Sequence, residues 1–201
     1  MKKSFWILFS SVLVTGIAMA VNSNRISFEE YESLDLKKVT ANDDFNKMMD
    51  VLSHKRCVNC HPNDNVPKQG EDSHPHYFDM KRGEENLGFQ ATKCTTCHQS
   101  ENNEYSGVPG APHWSLAPAS MMWEGLSRVE IAESMMDPIR NGNRSAEDIL
   151  HHLTEDELVL WAFNPGVDAD GVPREKPPLT KEDYIMAVKN WFAAGAVIPK
   201  P

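Results

Sequence analysis

The chain reads as a mainly α protein whose short helices are joined by long ordered loops. Three observations carry that expectation. Apolar residues recur at helical spacing in several separate segments, Ser/Thr-x-x-Asp/Glu signatures head three of them, and the stretches between are too rich in Pro, Gly and Asn for regular strands.

Taken in order, the first twenty residues, MKKSFWILFSSVLVTGIAMA, run from Lys2-Lys3 through an apolar stretch, Phe5 to Ile17, to a small-residue Ala18-Met19-Ala20 site. Residues 1–20 are therefore expected to be a cleaved signal peptide, because the apolar run is shorter than the roughly 20 residues a membrane-spanning helix needs. The mature chain is expected in the periplasm, with no membrane span once the leader is removed. Residues 21–42 form an N-terminal extension, and one domain is expected over 43–201. Within it, DDFNKMMDVLSHKR (43–56) places Phe45, Met48, Met49 and Leu52 on one helical face. That helix leads straight into the pentapeptide CVNCH.

Pro62 to Leu87 shows no sustained periodicity and reads as loop. A short helix is expected under the second pentapeptide, CTTCH, and the proline-rich GVPGAPHWSLAP after it as irregular. Ser127 to Met136 reads as helix, stopped by Pro138, with Asn141-Gly142 as a turn. Ser145-x-x-Asp148 and Thr154-x-x-Glu157 look like the caps of two short helices, the second carrying Leu158, Val159 and Trp161 before Pro165. Thr180-x-x-Asp183 caps a last helix with Tyr184, Ile185, Val188, Trp191 and Phe192 on one face, closed by Gly195. No segment reads as a strand pair. Met48, Met49, Met135 and Met136 fall on helical faces and are expected to fill the core.

Hydrophobic residues make up 40% of the whole chain, the leader included, and thirteen prolines interrupt it, so a core made of protein alone is thin. The formal charge is −9, and removing the leader takes away only Lys2 and Lys3, which leaves the rest more acidic still. Such a chain repels phosphate backbones and anionic lipid, which argues against nucleic acid and membrane surfaces as partners.

All four cysteines stand in two copies of one spacing, Cys57-Val-Asn-Cys60-His61 and Cys94-Thr-Thr-Cys97-His98. Disulfides need no histidine after each pair, and a four-cysteine zinc site usually brings its second pair sooner. Cys-x-x-Cys-His is the haem attachment motif: two thiols add across the vinyl groups on one edge of the ring, and the adjacent imidazole turns under the iron. Two covalently bound haem c groups are therefore expected, with His61 and His98 as proximal ligands. The helices and loops are expected to pack around those two haems, which compensate for the thin core.

The sixth position of each iron must also be filled. His74 and His76 flank Pro75 in a loop between the clamps, and His113 sits in PGAPHW after the second clamp. His76, with His74 as its substitute, and His113 are the expected distal ligands, because proline stiffens both loops. Met80, Met121 and Met122 are alternates. His54 is too close to its own clamp to reach the far side. His151 and His152 read as surface histidines of an amphipathic helix.

Beyond the pentapeptides, CVNCHPNDNVPKQG, HPHYFDMKRG, GVPGAPHWSLAP, DPIRNGNRS, LVLWAFNPG and WFAAGAVIP span the chain from about Phe45 onward. Together they resemble a family of exported dihaem cytochromes that accompany isoquinoline 1-oxidoreductase-type molybdenum hydroxylases. The resemblance implies an electron carrier rather than an enzyme, accepting electrons from a molybdenum hydroxylase that oxidises aldehydes or N-heterocycles and passing them to the respiratory chain. Nothing in the chain resembles a molybdopterin or iron–sulfur domain, so the hydroxylase is expected to be a separate protein. The competing reading is a small dihaem enzyme, a peroxidase or sulfur-compound oxidoreductase, which needs one iron with an open sixth position. The supply of loop histidines favours the carrier.

Overall fold

The computed structural model describes residues 28–200; the leader expected over residues 1–20 lies outside them. Among the described residues the protein is mainly α. The helices are α1 (Phe28–Leu52), α2 (Lys55–Val58), α3 (Arg128–Met136), α4 (Ala146–Glu155), α5 (Glu157–Leu160) and α6 (Lys181–Ala193), with three single 3₁₀ turns between them. No helix among these residues is long and apolar enough to cross a membrane.

The helix expected from Asp43 begins at Phe28, inside the stretch read as an N-terminal extension. No Gly or Pro interrupts 28–52, and Glu29 and Glu30 in the first turn complement the helix dipole. Its C-terminal half is buried through Phe45, Met48, Met49, Val51 and Leu52, whereas Leu34, Leu36 and Val39 of its first half are exposed. Nor does the helix run unbroken into CVNCH. The Ser53 hydroxyl donates back to the Met49 carbonyl at 2.6 Å, and His54, in extended backbone, restarts the chain as the N-cap of α2.

The core assembles where α1 and α4 pack on α6. Ile131, Ala132 and Met135 of α3, Ile149 and Leu153 of α4, and Tyr184, Val188 and Trp191 of α6 close on the α1 residues. Phe45 meets Trp191 with ring centroids 6.0 Å apart. Met48, Met49 and Met135 are fully buried as expected, and Met136 packs against the same cluster.

Two of the three expected caps hold: Ser145 forms a reciprocal capping box with Asp148, and Thr180 accepts from Asp183 N at the head of α6. Ser127 forms a further capping box with Glu130 at the head of α3. The third expected cap is corrected. Thr154 lies buried inside α4, its hydroxyl donating to the Leu150 carbonyl at 2.8 Å, and Asp156 caps α5 by accepting from Leu158 N. The Asn141-Gly142 turn is present: Asn141 is buried, donates to the Met135 carbonyl and accepts from Arg144 N, while Gly142 takes φ +78°.

The loops also carry two ladders that the sequence does not announce. β1 (Lys68–Gln69) pairs antiparallel with β2 (His74–Pro75), and β3 (Gly88–Phe89) with β4 (Thr92–Lys93). Two residues per strand are too few to show alternation, so these hairpins rest on their turns rather than on periodicity.

Removing either capping hydroxyl, in Ser127→Ala or Ser145→Ala, is expected to cost about 1 kcal/mol of stability, and the double variant close to the sum, because the caps serve separate helices. Urea denaturation followed by circular dichroism measures it; a cost near zero for both contradicts the capping account.

Candidate functional site

Both pentapeptides are wound as a single tight turn. In the first, Cys60 N donates to Cys57 O at 3.0 Å and His61 N to Val58 O at 2.9 Å; in the second, Cys97 N and His98 N both donate to Cys94 O, at 3.2 and 3.0 Å. Winding of this kind brings residues i and i+3 to the same side, so each pair of thiols faces one way and the histidine follows directly. All four thiols are free. Burial pushes the Cys57 thiol up to about 12 and that of Cys60 up to about 11, and raises Cys94 as well. Cys94 adds to the upward shift at Cys60.

The two histidines are held in the same manner. His61 Nδ1 lies 2.7 Å from the Met121 carbonyl, and its ring stacks on Trp123 with centroids 3.7 Å apart and an interplanar angle of 11°. His98 Nδ1 lies 2.7 Å from the Pro109 carbonyl, and its ring stacks on Trp114 at 4.5 Å and 7°. Burial brings His61 down to about 4 and lowers His98, against the pull of the accepting carbonyls. Each ring is therefore neutral near pH 7, with Nδ1–H donated to the carbonyl and the Nε2 lone pair left for a metal.

Distant loops supply those carbonyls. Trp123 N and Glu124 N both bond the His61 carbonyl, which ties the segment after Met121 to the first turn. At the second turn, Gly110 presses so close that a Cβ there would sit 2.1 Å from the Glu101 carbonyl oxygen. Only glycine lets Pro109 reach His98. Asn102 braces this approach by accepting from Gly110 N at 3.0 Å and from Trp161 Nε1 at 2.8 Å while donating to the Asn164 carbonyl; Trp161 stands edge-on to Trp114.

Beside the first turn opens a cleft of about 1130 Å³, counting its mouth, whose lining includes Cys57, Cys60, His61, His113 and His152. Much of the remaining wall is apolar, with Leu52, Leu116, Ile149, Leu153, Leu158 and Val159. Trp123 Nε1, on the same wall, is buried without an acceptor, and so is Nε of Arg82, a residue only 4% exposed. The rest of the Arg82 guanidinium donates to the carbonyls of Ala117 and Asp64, and Ala117 N bonds the Cys60 carbonyl. Buried donors of this kind call for an anionic or carbonyl acceptor. A flat apolar group with carboxylate substituents, such as haem, fits these donors, thiols and walls. No three or more His, Cys, Asp or Glu side chains converge as a metal cage among the described residues.

The other sequence-predicted ligands divide clearly. His76 lies beside His98, with ring centroids 6.0 Å apart at 68°, and its Nδ1 donates to the Tyr77 carbonyl at 2.8 Å. Both ring nitrogens of His74 are engaged, with Asp72 at 2.6 Å and Gln69 at 3.1 Å. His113 is exposed at the cleft, in left-handed backbone at φ 59°. Met121 and Met80 are buried and Met122 partly so; the Met121 sulfur accepts from the Ser134 hydroxyl at 3.6 Å. The expectation of two surface histidines on α4 holds for His151 alone, because His152, one position on, turns into the cleft.

Below the first turn, α2 is tied down by charge. Arg56, buried, pairs with Glu71 and donates to the Glu175 carbonyl at 2.8 Å, while Lys55 reaches the Glu175 carboxylate at 2.8 Å.

Comparisons with protein-family models, with curated proteins and with solved structures find no match for this chain. The site is therefore read from its own chemistry.

Because Asn102 satisfies two donors at once, Asn102→Ala is expected to cost about 2 kcal/mol by leaving Gly110 N and the Trp161 indole unpaired. Asn103→Ala, which loses only short-range bonds to Tyr105 N and Ser106 N, is expected to cost less. Equal costs in denaturant titrations contradict the bracing role.

Proposed function

We propose that this protein is a c-type cytochrome that holds two covalently bound haems and carries electrons between partner proteins. The observation that supports this most strongly is the repetition of one arrangement: a tight turn aligning two thiols, and a neutral histidine whose Nδ1 is fixed by a backbone carbonyl and whose ring is backed by a tryptophan. Cys57 and Cys60 would anchor one haem and Cys94 and Cys97 the other, with His61 and His98 as proximal ligands. The haem supplies an iron that gains and loses one electron at a time. The residues of the chain do the rest: they attach, orient, exclude water and supply ligands.

The pairing of His98 with His76 supports a six-coordinate second iron. Two imidazoles bound through Nε2 on opposite sides of one metal, at bonds of about 2 Å, stand about 6 Å apart centre to centre. The separation here is 6.0 Å, and each Nδ1 is already taken by a carbonyl. His74, with no free nitrogen, is the weaker substitute. Bis-histidine ligation keeps iron low-spin in both oxidation states and leaves no position for substrate, which suits a carrier and not a peroxidase.

The acidity of the chain, at −9, favours a partner with a basic or mixed docking face. In line with the family resemblance, a molybdenum hydroxylase is the proposed donor, a respiratory-chain component the acceptor, and the periplasm the place.

Intact mass of the mature protein is expected to exceed the polypeptide by two haems, and the reduced protein is expected not to bind carbon monoxide. His76→Ala is expected to keep both haems and to turn one iron high-spin and reactive with carbon monoxide. One haem, or bound zinc, overturns the proposal. An unmodified protein with a high-spin iron that reacts with peroxide replaces the carrier by the enzyme.

A further inference from the structure

We infer that the sixth ligand of the first iron is His152, oriented by Asp156, and that His113 does not ligate. The inference rests on the dihaem reading above and completes its ligand set. His61 lines the cleft and, with Nδ1 engaged by the Met121 carbonyl, keeps Nε2 free; two other histidines line the same cleft, His113 and His152. They differ in how they are held. His152 projects from α4, a regular helix anchored in the core by its neighbours Ile149 and Leu153. Its Nδ1 lies 2.9 Å from Asp156 Oδ2. That bond fixes the tautomer and leaves Nε2 as the one free nitrogen, the orientation in which a carboxylate commonly sets a metal-binding imidazole.

The carboxylate is itself fixed, because Asp156 Oδ1 accepts from Leu158 N at 2.9 Å as the N-cap of α5. Asp156 and Leu158 both line the cleft. His113, by contrast, is exposed on a loop, and among the described residues no hydrogen bond orients its ring. A ligand carried on a helix and locked by a second residue is held more tightly than one on an unbraced loop. Met121 is committed elsewhere: its carbonyl receives His61 and its sulfur the Ser134 hydroxyl.

The consequence is an asymmetry between the two irons. His76 gives its Nδ1 proton to a neutral carbonyl, whereas His152 gives its proton to a carboxylate, which makes the imidazole a stronger donor and favours the oxidised iron.

The test uses the full-length, haem-loaded protein. In His152→Ala, two haems should remain by mass, half of the low-spin signal should be lost, one carbon monoxide should bind per chain, and added imidazole should restore the low-spin spectrum. His113→Ala should stay wholly low-spin. Asp156→Asn, which preserves the cap of α5, should stay low-spin while one of the two midpoint potentials rises and the other does not move. A wholly low-spin His152→Ala protein, or a high-spin His113→Ala protein, overturns the assignment while leaving the dihaem reading intact. If His152→Ala cannot be produced, unchanged potentials in Asp156→Asn overturn it instead. Fewer than two haems on the unmodified chain is the separate result that ends the reading beneath it.

Discussion

Two backbone carbonyls, of Met121 and Pro109, set the terms for the rest of the molecule. Each accepts from Nδ1 of a histidine that directly follows a pair of cysteines, and each arrives from a segment remote from or folded back upon that histidine. A side chain cannot be aimed by its own backbone alone; imidazole rotates about two bonds and must be stopped from outside. The loops after Cys97 exist in their observed paths because those carbonyls have to be delivered. Gly110 permits the close approach at one site, and the bonds from Trp123 N and Glu124 N to the His61 carbonyl secure the other.

Packing follows from that arrangement. The conventional core, of α1, α3, α4 and α6, lies to one side of the first turn, and Leu52, Met135, Ile149 and Leu153 belong both to that core and to the wall of the cleft. The helices thus serve as a rigid back for a space that the side chains do not fill. Trp123 Nε1, a buried donor without an acceptor, lies on the wall of that cleft. An unpaired buried donor costs on the order of 1–3 kcal/mol, a cost that an acceptor bound in the cleft would relieve.

The two sites differ in their exposure, which bears on how electrons would enter and leave. The first is enclosed by helices and by the Arg56–Glu71–Glu175 ties. Around the second, Cys97 is exposed, His76 is half-buried, and Tyr77 and Phe78 stand out at 62% and 85% exposure. Under the dihaem proposal, the second site is therefore the more open of the two to a docking partner.

Much of this was legible in the residues. The two Cys-x-x-Cys-His spacings stated the thiol pairs and the histidine beside each, because that arrangement is local: five consecutive residues wound into one turn. The capped helices at Ser145 and Thr180 were legible for the same reason. The proposed second ligands were not, since such a role depends on which imidazole nitrogen is free and which way a side chain faces. His74 and His76 are two residues apart and look alike in sequence, yet Asp72 and Gln69 occupy both nitrogens of the first and leave Nε2 of the second. His151 and His152 are adjacent, and only the rotation of α4 against its buried face decides that one meets solvent and the other the cleft. The Asp156 spacing four residues on was the available signal, because i and i+4 side chains meet on a helix. The sequence by itself determined the local turns that carry the two thiol pairs and their histidines; the tertiary structure alone decided which side chains share a cleft with the first of them, because a shared cleft is a property of packed helices and not of neighbours along the chain.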